Sequence, residues 1–396
     1  MRPIAAKIRV QIAGVLGLTL MLGIARFAYT PLLPLMQTQA GLANDQGAWL
    51  AGINYLGYIS GALIAASTSD MVLKDRLYRI GIWVAVISTL GMALTTDWRL
   101  WAVFRFVAGL SSAAGLLLGS GLILNWLLRH HHKCGLGLHF SGIGLGIFVS
   151  ALLADLMWDR LDWQAQWLGF SLFGLVLAVP AWALLPRPEN TAFTVSGQPL
   201  ASRPPSPLYL RLLLAAYFCA GIGYVVSATF IVSIVEQQPG LGGQGNRVFM
   251  LIGLAAMPAS FLWDRAARGI GVLNALAVAY LMQIAGIAAP LIGDSLAGAL
   301  IGALLFGGTF VGIVGLVLTM AGRYYPSHPS RMMGKMTLSY GIAQISAPVL
   351  IALTVGAESG YSRGLVPAIA AMAIGSGLVL GLKSIETKRE NQKCLT

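Results

Sequence analysis

Two arginines stand inside long apolar runs of this sequence. Arg26 lies near the middle of Val10 to Met36, which carries no other charge, and Arg105 lies in the run 100–127. From Arg26 to Met36 is about ten residues, roughly 15 Å along a helix axis, and Arg105 is roughly 9 Å from the start of its run. A cation that deep in hydrocarbon costs at least ~2.5 kcal/mol unless water, a partner or a ligand meets it. A guanidinium can hold a carboxylate or phosphate through two parallel hydrogen bonds. The plainer alternative is that each arginine bonds backbone carbonyls or hydroxyls and braces the helices.

Carboxylates are nearly absent from the apolar runs. Asp155 and Glu236 stand at run ends, and His139 is one turn into its run. Together with Arg105 these are the candidates for coupling proton movement to work, since intramembrane acids and histidines form such relays. For the two acids the competing reading is an interfacial helix cap in water. Two cations without a midplane acid favour an anionic or zwitterionic ligand.

Polar side chains at helical spacing extend the candidate site. Tyr29 and Thr30 follow Arg26 by three and four residues and share its face. Asn54 and Tyr58 share a face, as do Tyr217 with Tyr224, and Thr337 with Tyr340 and Gln344. These faces either line a cavity or make interhelical hydrogen bonds and aromatic belts.

Membrane-spanning helices are the elements that must position these residues. The chain has 396 residues, 57% hydrophobic and 10% charged. Apolar runs of spanning length recur at 10–36, 47–68, 79–96, 100–127, 135–156, 165–185, 209–235, 247–263, 270–290, 296–321, 333–355 and 362–382. The expected fold is therefore an all-α integral membrane protein with twelve transmembrane helices. The polar stretch 186–208, rich in Pro, Ser and Thr, reads as a flexible cytoplasmic linker between residues 1–185 and 209–382, with a polar cytoplasmic tail at 383–396. With both termini inside, twenty of the 26 Lys and Arg fall in inner segments and four in outer loops. The net charge of +12 is thus a topological signal, and a nucleic-acid partner is excluded. The three cysteines do not suggest a disulfide framework, and the first run is too long for a cleaved signal peptide.

Two motifs fail their context. Gly240 to Gly245 fits G-x-G-x-x-G but lies in an outer loop with no preceding strand. His130, His131 and His132 are consecutive and flanked by Arg129 and Lys133, which reads as a solvated basic loop and not as a metal site. No cofactor or metal is expected, and no phosphate-binding loop for ATP is present in the sequence.

An internal repeat links the halves: Asp75-Arg76-Leu77-Tyr78-Arg79 and Asp264-Arg265-Ala266-Ala267-Arg268 both read D-R-x-x-R. These loops resemble the 2–3 and 8–9 loop motif of the major facilitator superfamily. Phe104-Arg105 with Gly109 is similar to its fourth span, and Gly142, Gly144 and Gly146 to its fifth, although the usual Gly-Pro pair is missing. Asp162 to Trp167 resembles the entry to the sixth span. More narrowly, Arg26-Phe27-Ala28-Tyr29-Thr30-Pro31-Leu32-Leu33-Pro34, Leu305 to Phe310 and Gly341 to Gln344 resemble the YbfB/YjiJ-type group.

The resemblance implies two pseudo-symmetric six-helix bundles around a central cavity. It also implies a non-enzymatic secondary transporter that moves a small organic solute by alternating access, in either direction including efflux, with protons as coupling ion. The charge argument points to an organic anion or amphipathic metabolite, with Arg26 as its main counter-charge. Asp75, Arg76, Arg79, Asp264, Arg265 and Arg268 would act as gating loops. The expected setting is the bacterial inner membrane, with the lipid bilayer and a small-molecule substrate as partners and the chain a monomer. A transport-dead sensor on the same fold and a polytopic membrane enzyme are the alternatives.

Overall fold

The computed structural model describes residues 3–132, 135–189, 193–202, 204–237, 240–291, 295–355 and 365–394. The first apolar run is one continuous rod with a change of winding. Helix α1 (Pro3–Leu18) passes into a π-helix (Thr19–Phe27) and then into α2 (Tyr29–Gln39). Next come α3 (Asn44–Ser67), α4 (Met71–Ala93) and α5 (Trp98–Ala113), with a second π segment (Ala114–Gly119) leading into α6 (Ser120–Arg129). Then follow α7 (Gly137–Met157), α8 (Trp163–Leu184), α9 (Pro207–Gln237), α10 (Gly245–Ile270) and α11 (Val272–Ala288). The described chain closes with α12 (Leu296–Tyr324), α13 (Pro329–Val355) and α14 (Leu365–Cys394).

Acids and hydroxyls at the run edges start several helices by accepting their orphan N–H groups. Asp70 accepts from Val72 and Leu73, Asp97 from Arg99, Asp162 from Ala165 and Ser295 from Gly298. Gly271, at φ +87°, ends α10 in a conformation closed to most side chains.

Among the described residues, ten segments are long and apolar enough to cross a membrane. The expected twelve is not reached by this measure. Helix α4 has the length but opens with Lys74, Asp75, Arg76 and Arg79, and the apolar second half of α13 has its side chains from 347 onward outside the described residues.

Helices from the first and last parts of the chain cross at two places, α7 along α10 and α3 along α13. Glycine makes the first crossing possible. A Cβ on Gly144 would lie 2.2 Å from the Met257 nitrogen, and one on Gly253 would lie 2.4 Å from that of Phe148. At the end nearest the 186–208 stretch, called here the linker face, contact is tight. Asn125 Nδ2 donates to the Pro326 carbonyl at 3.1 Å, and a Cβ on Gly334 would meet the Ala66 nitrogen at 2.8 Å.

Described residues of the linker contact one another and α6. Phe193 and Pro199 form an isolated bridge. Arg129 Nη2 donates to Glu189 at 2.7 Å and its Nε to the Phe193 carbonyl at 3.1 Å, while Val195 N–H donates to the Arg129 carbonyl.

Candidate functional site

The π-helix positions the site. Its wider winding is seen in the Ala28 N–H donating to the Gly23 carbonyl, five residues back. Side chains from neighbouring helices supply additional donors to its carbonyls. Ser112 Oγ donates to Met21 at 2.8 Å and Ser150 Oγ to Gly23 at 2.9 Å. The closest approach to α7 is glycine on glycine: a Cβ on Gly23 would lie 2.3 Å from the Gly146 Cα.

Arg105 belongs to this bracing. Its Nη1 donates to the carbonyls of Ala25 and Arg26 at 3.2 and 3.3 Å, and its Cζ lies 4.3 Å from the Tyr29 ring centre. Asn54 Nδ2 in turn donates to the Arg105 carbonyl at 2.8 Å, and the Tyr29 hydroxyl to that of Gly47 at 2.9 Å.

Arg26 is held differently. Its guanidinium sits among aromatic rings, 4.5 Å from the centre of Tyr58, 4.8 Å from Tyr55 and 5.5 Å from Phe27. Such contacts are worth up to ~2 kcal/mol each when desolvated. The side chain is 7% exposed and borders a cavity of about 120 Å³. Among the described residues, no Asp or Glu is ion-paired with either arginine.

The cavity has two unlike walls. Arg26, Tyr29, Thr30, Asn54, Tyr55 and Arg105 form one, and Tyr224, Phe249, Ile252, Phe306 and Phe310 the other. Phe306 and Phe310 stack with centres 5.2 Å apart, and Tyr224 lies 5.4 Å from Phe310. Thr30 and Leu33 reach it from the end of the rod away from the linker face, so the cavity lies towards that end.

The remaining expected residues, Glu236 aside, are not among those lining this space. Tyr58 is buried beneath Arg26, and Tyr340 stacks between Tyr217 at 4.6 Å and Tyr224 at 5.6 Å. Thr337 and Gln344 are buried, with Oγ1 and Oε1 unpartnered. His139 is buried beside Gly14, its Nε2 2.8 Å from Ser120 Oγ. Asp155 is exposed and accepts from Asn246 Nδ2 at 3.3 Å. Glu236 has its side chain outside the described residues.

The two D-R-x-x-R motifs lie inside helices, in the first turns of α4 and the last turns of α10, and not in loops as expected, and they differ. Buried Asp75 accepts from Arg79 and Arg187, and Arg79 also donates to the Trp182 and Leu185 carbonyls, clamping α4 to the end of α8. Asp264 accepts from Arg268 at 2.6 Å and lies against Gly135. Arg76 and Arg265 are exposed. His130 stacks on Trp126 at 4.2 Å and His131 lies 2.7 Å from Ser196 Oγ.

Sequence reasoning missed Tyr55, Phe306 and Phe310. An aromatic in an apolar helix carries no sign of whether it faces a cavity, a neighbour or lipid.

The architecture is that of a polytopic membrane protein built around a solute-sized cavity. The chain belongs to the family described as uncharacterised MFS-type transporter YbfB, which it matches over residues 18–380, and thus to the major facilitator superfamily. It is 24% identical over 266 residues to the uncharacterised MFS-type transporter YceJ of Bacillus subtilis, covering 64% of this chain and 66% of that one. It is 23% identical over 282 residues to the MFS-type transporter phm3 of Pyrenochaetopsis sp., covering 60% of this chain and 58% of that one. The matches thus span less than two thirds of either relative. In fold it is similar to the human organic anion transporter MFSD10, with a TM-score of 0.73, 18% identity and coverage of 96% and 99%. It is also similar to a single-substitution mutant of the nucleoside transporter NupG, with a TM-score of 0.65, 10% identity and coverage of 95% and 99%.

Proposed function

We propose that this protein is a secondary active transporter of a small organic anion. Two six-helix halves, residues 1–185 and 209–382, rock about the central cavity by alternating access. The observation that carries this reading is Arg26: a cation at the cavity wall, caged by rings, with no carboxylate partner among the described residues. A carboxylate or phosphate head would pair with it, and an apolar body would lie against Tyr224, Phe306 and Phe310. Lysines and arginines concentrate on the linker face, which supports a cytoplasmic placement of that face and of both termini. The described conformer then has its cytoplasmic side closed and its cavity towards the outside. Protons are the coupling ion in this proposal, with Asp155 and His139 as titratable candidates.

The test is counterflow of labelled aromatic and aliphatic carboxylates in proteoliposomes holding the purified chain. Saturable exchange of carboxylates that Arg26→Gln abolishes is the expected result. Exchange only of neutral or cationic solutes, unaffected by the substitution, overturns the reading.

A further inference from the structure

A second cavity, of about 280 Å³, lies at the linker face and away from the central one. It is lined by Ser202, Ser327, His328, Arg331 and Lys335, among others. Arg331 and Lys335 are four residues apart on α13 and share a face. His328 keeps a buried Nδ1 with no partner. Close by, at the start of α4, Lys74 is fully buried, and among the described residues its Nζ meets the Met71 sulfur at 3.8 Å. Its charge bears on His328, and that of Arg331 bears on Lys74.

Nearby acids are engaged elsewhere. Asp70 caps α4 through Val72 and Leu73, and Asp75 is held by Arg79 and Arg187. Burial, and then the charge of Arg331, push Lys74 down to about 8. Asp70 offsets part of the charge at Lys74, while Arg331, Lys335 and His328 face the open space with no ion-paired acid among the described residues, an arrangement that an anion completes.

We propose that this cavity binds a phosphate group, carried by an anionic lipid headgroup or by a soluble organophosphate. Arg331 and Lys335 pair with its oxygens, His328 and the hydroxyls of Ser202 and Ser327 donate to it, and Lys74 adds to the positive field. Lys74 stands on α4 and the others on the segment around α13 and the linker. A bound phosphate therefore draws these elements together and favours the conformer closed at the linker face.

The experiment is thermal unfolding of the full chain in a neutral detergent, with sodium phosphate against sodium chloride at matched ionic strength. Phosphate should raise the melting temperature by about 3–5 °C over chloride. The Arg331→Gln/Lys335→Gln double variant, helical by circular dichroism, should lose that gain. Lys335 is exposed, so Lys335→Gln alone should fold and lose at least half of it. In nanodiscs of phosphatidylglycerol, a wild type that no longer responds to added phosphate identifies a headgroup site. A response that persists there identifies a soluble ligand. No gain over chloride, or an equal gain in the variants, overturns the proposal.

Discussion

Arg105 donates to the main-chain carbonyl of Arg26 at 3.3 Å, so one buried cation holds the backbone of the other. The two have separate tasks. Arg105 spends donors on the carbonyls of Ala25 and Arg26, where the π-helix ends, while Arg26 stays at the cavity wall among tyrosines.

Arg105→Gln should therefore cost stability as well as transport. Hydrogen bonds to a charged donor are worth about 1.5–3 kcal/mol. A clear fall in melting temperature without ligand is expected, and Arg105→Lys should restore it only in part, because lysine lacks the planar fork. Thermal unfolding of both variants checks this.

The glycine contacts divide sharply between closed and open positions. Gly23→Ala would drive a methyl into the Gly146 Cα at 2.3 Å, backbone against backbone, so neither side can give. A loss of about 1–3 kcal/mol or more is expected. Gly377→Ala, with nothing within 4 Å, should be neutral or stabilising by up to ~1 kcal/mol through helix propensity. Melting curves of the pair in one detergent decide it.

Asn125 spans the linker-face contact through the Pro326 carbonyl. Asn125→Ala should shift the population towards the conformer open at that face. Faster labelling of a cysteine placed at Ser330, buried in the closed conformer, is the readout.

Lys74 gives a pH prediction. In the folded chain it is pushed down to about 8, against an ordinary 10.5. Between those values the unfolded chain binds more protons, so stability should rise with pH through that window, and the full penalty stands below it. Lys74→Met should raise the melting temperature at pH 7 by about 2–4 °C and flatten the rise. The comparison is made in chloride, without phosphate.

Much of this was legible in the chain. Arg26 and Arg105 stand out because a charge in an apolar run is costly, and both prove to border one cavity. The helical, membrane-spanning character follows from run length. The π-helix was not legible: Thr19–Phe27 contains no proline, and its extra residue per turn depends on Ser112, Ser150 and Arg105, which approach from other helices. The aromatic wall was hidden for a similar reason. Phe306 and Phe310 sit in Leu296–Tyr324, which is apolar almost throughout, so periodicity could not say which face meets the cavity. The polar face of Thr337, Tyr340 and Gln344 was visible as a face, but in the structure Tyr340 packs against Tyr224, Thr337 and Gln344 are buried, and the three are not among the residues lining the cavity.

We propose Arg26 as the counter-charge of an anionic substrate. The most direct measurement is thermal unfolding of wild type and Arg26→Gln against matched anionic, neutral and cationic organic solutes. Anions alone should stabilise the wild type, and the variant, equally stable or more so without ligand, should lose that response. Stabilisation of both proteins by the same neutral or cationic solutes would contradict that role for Arg26.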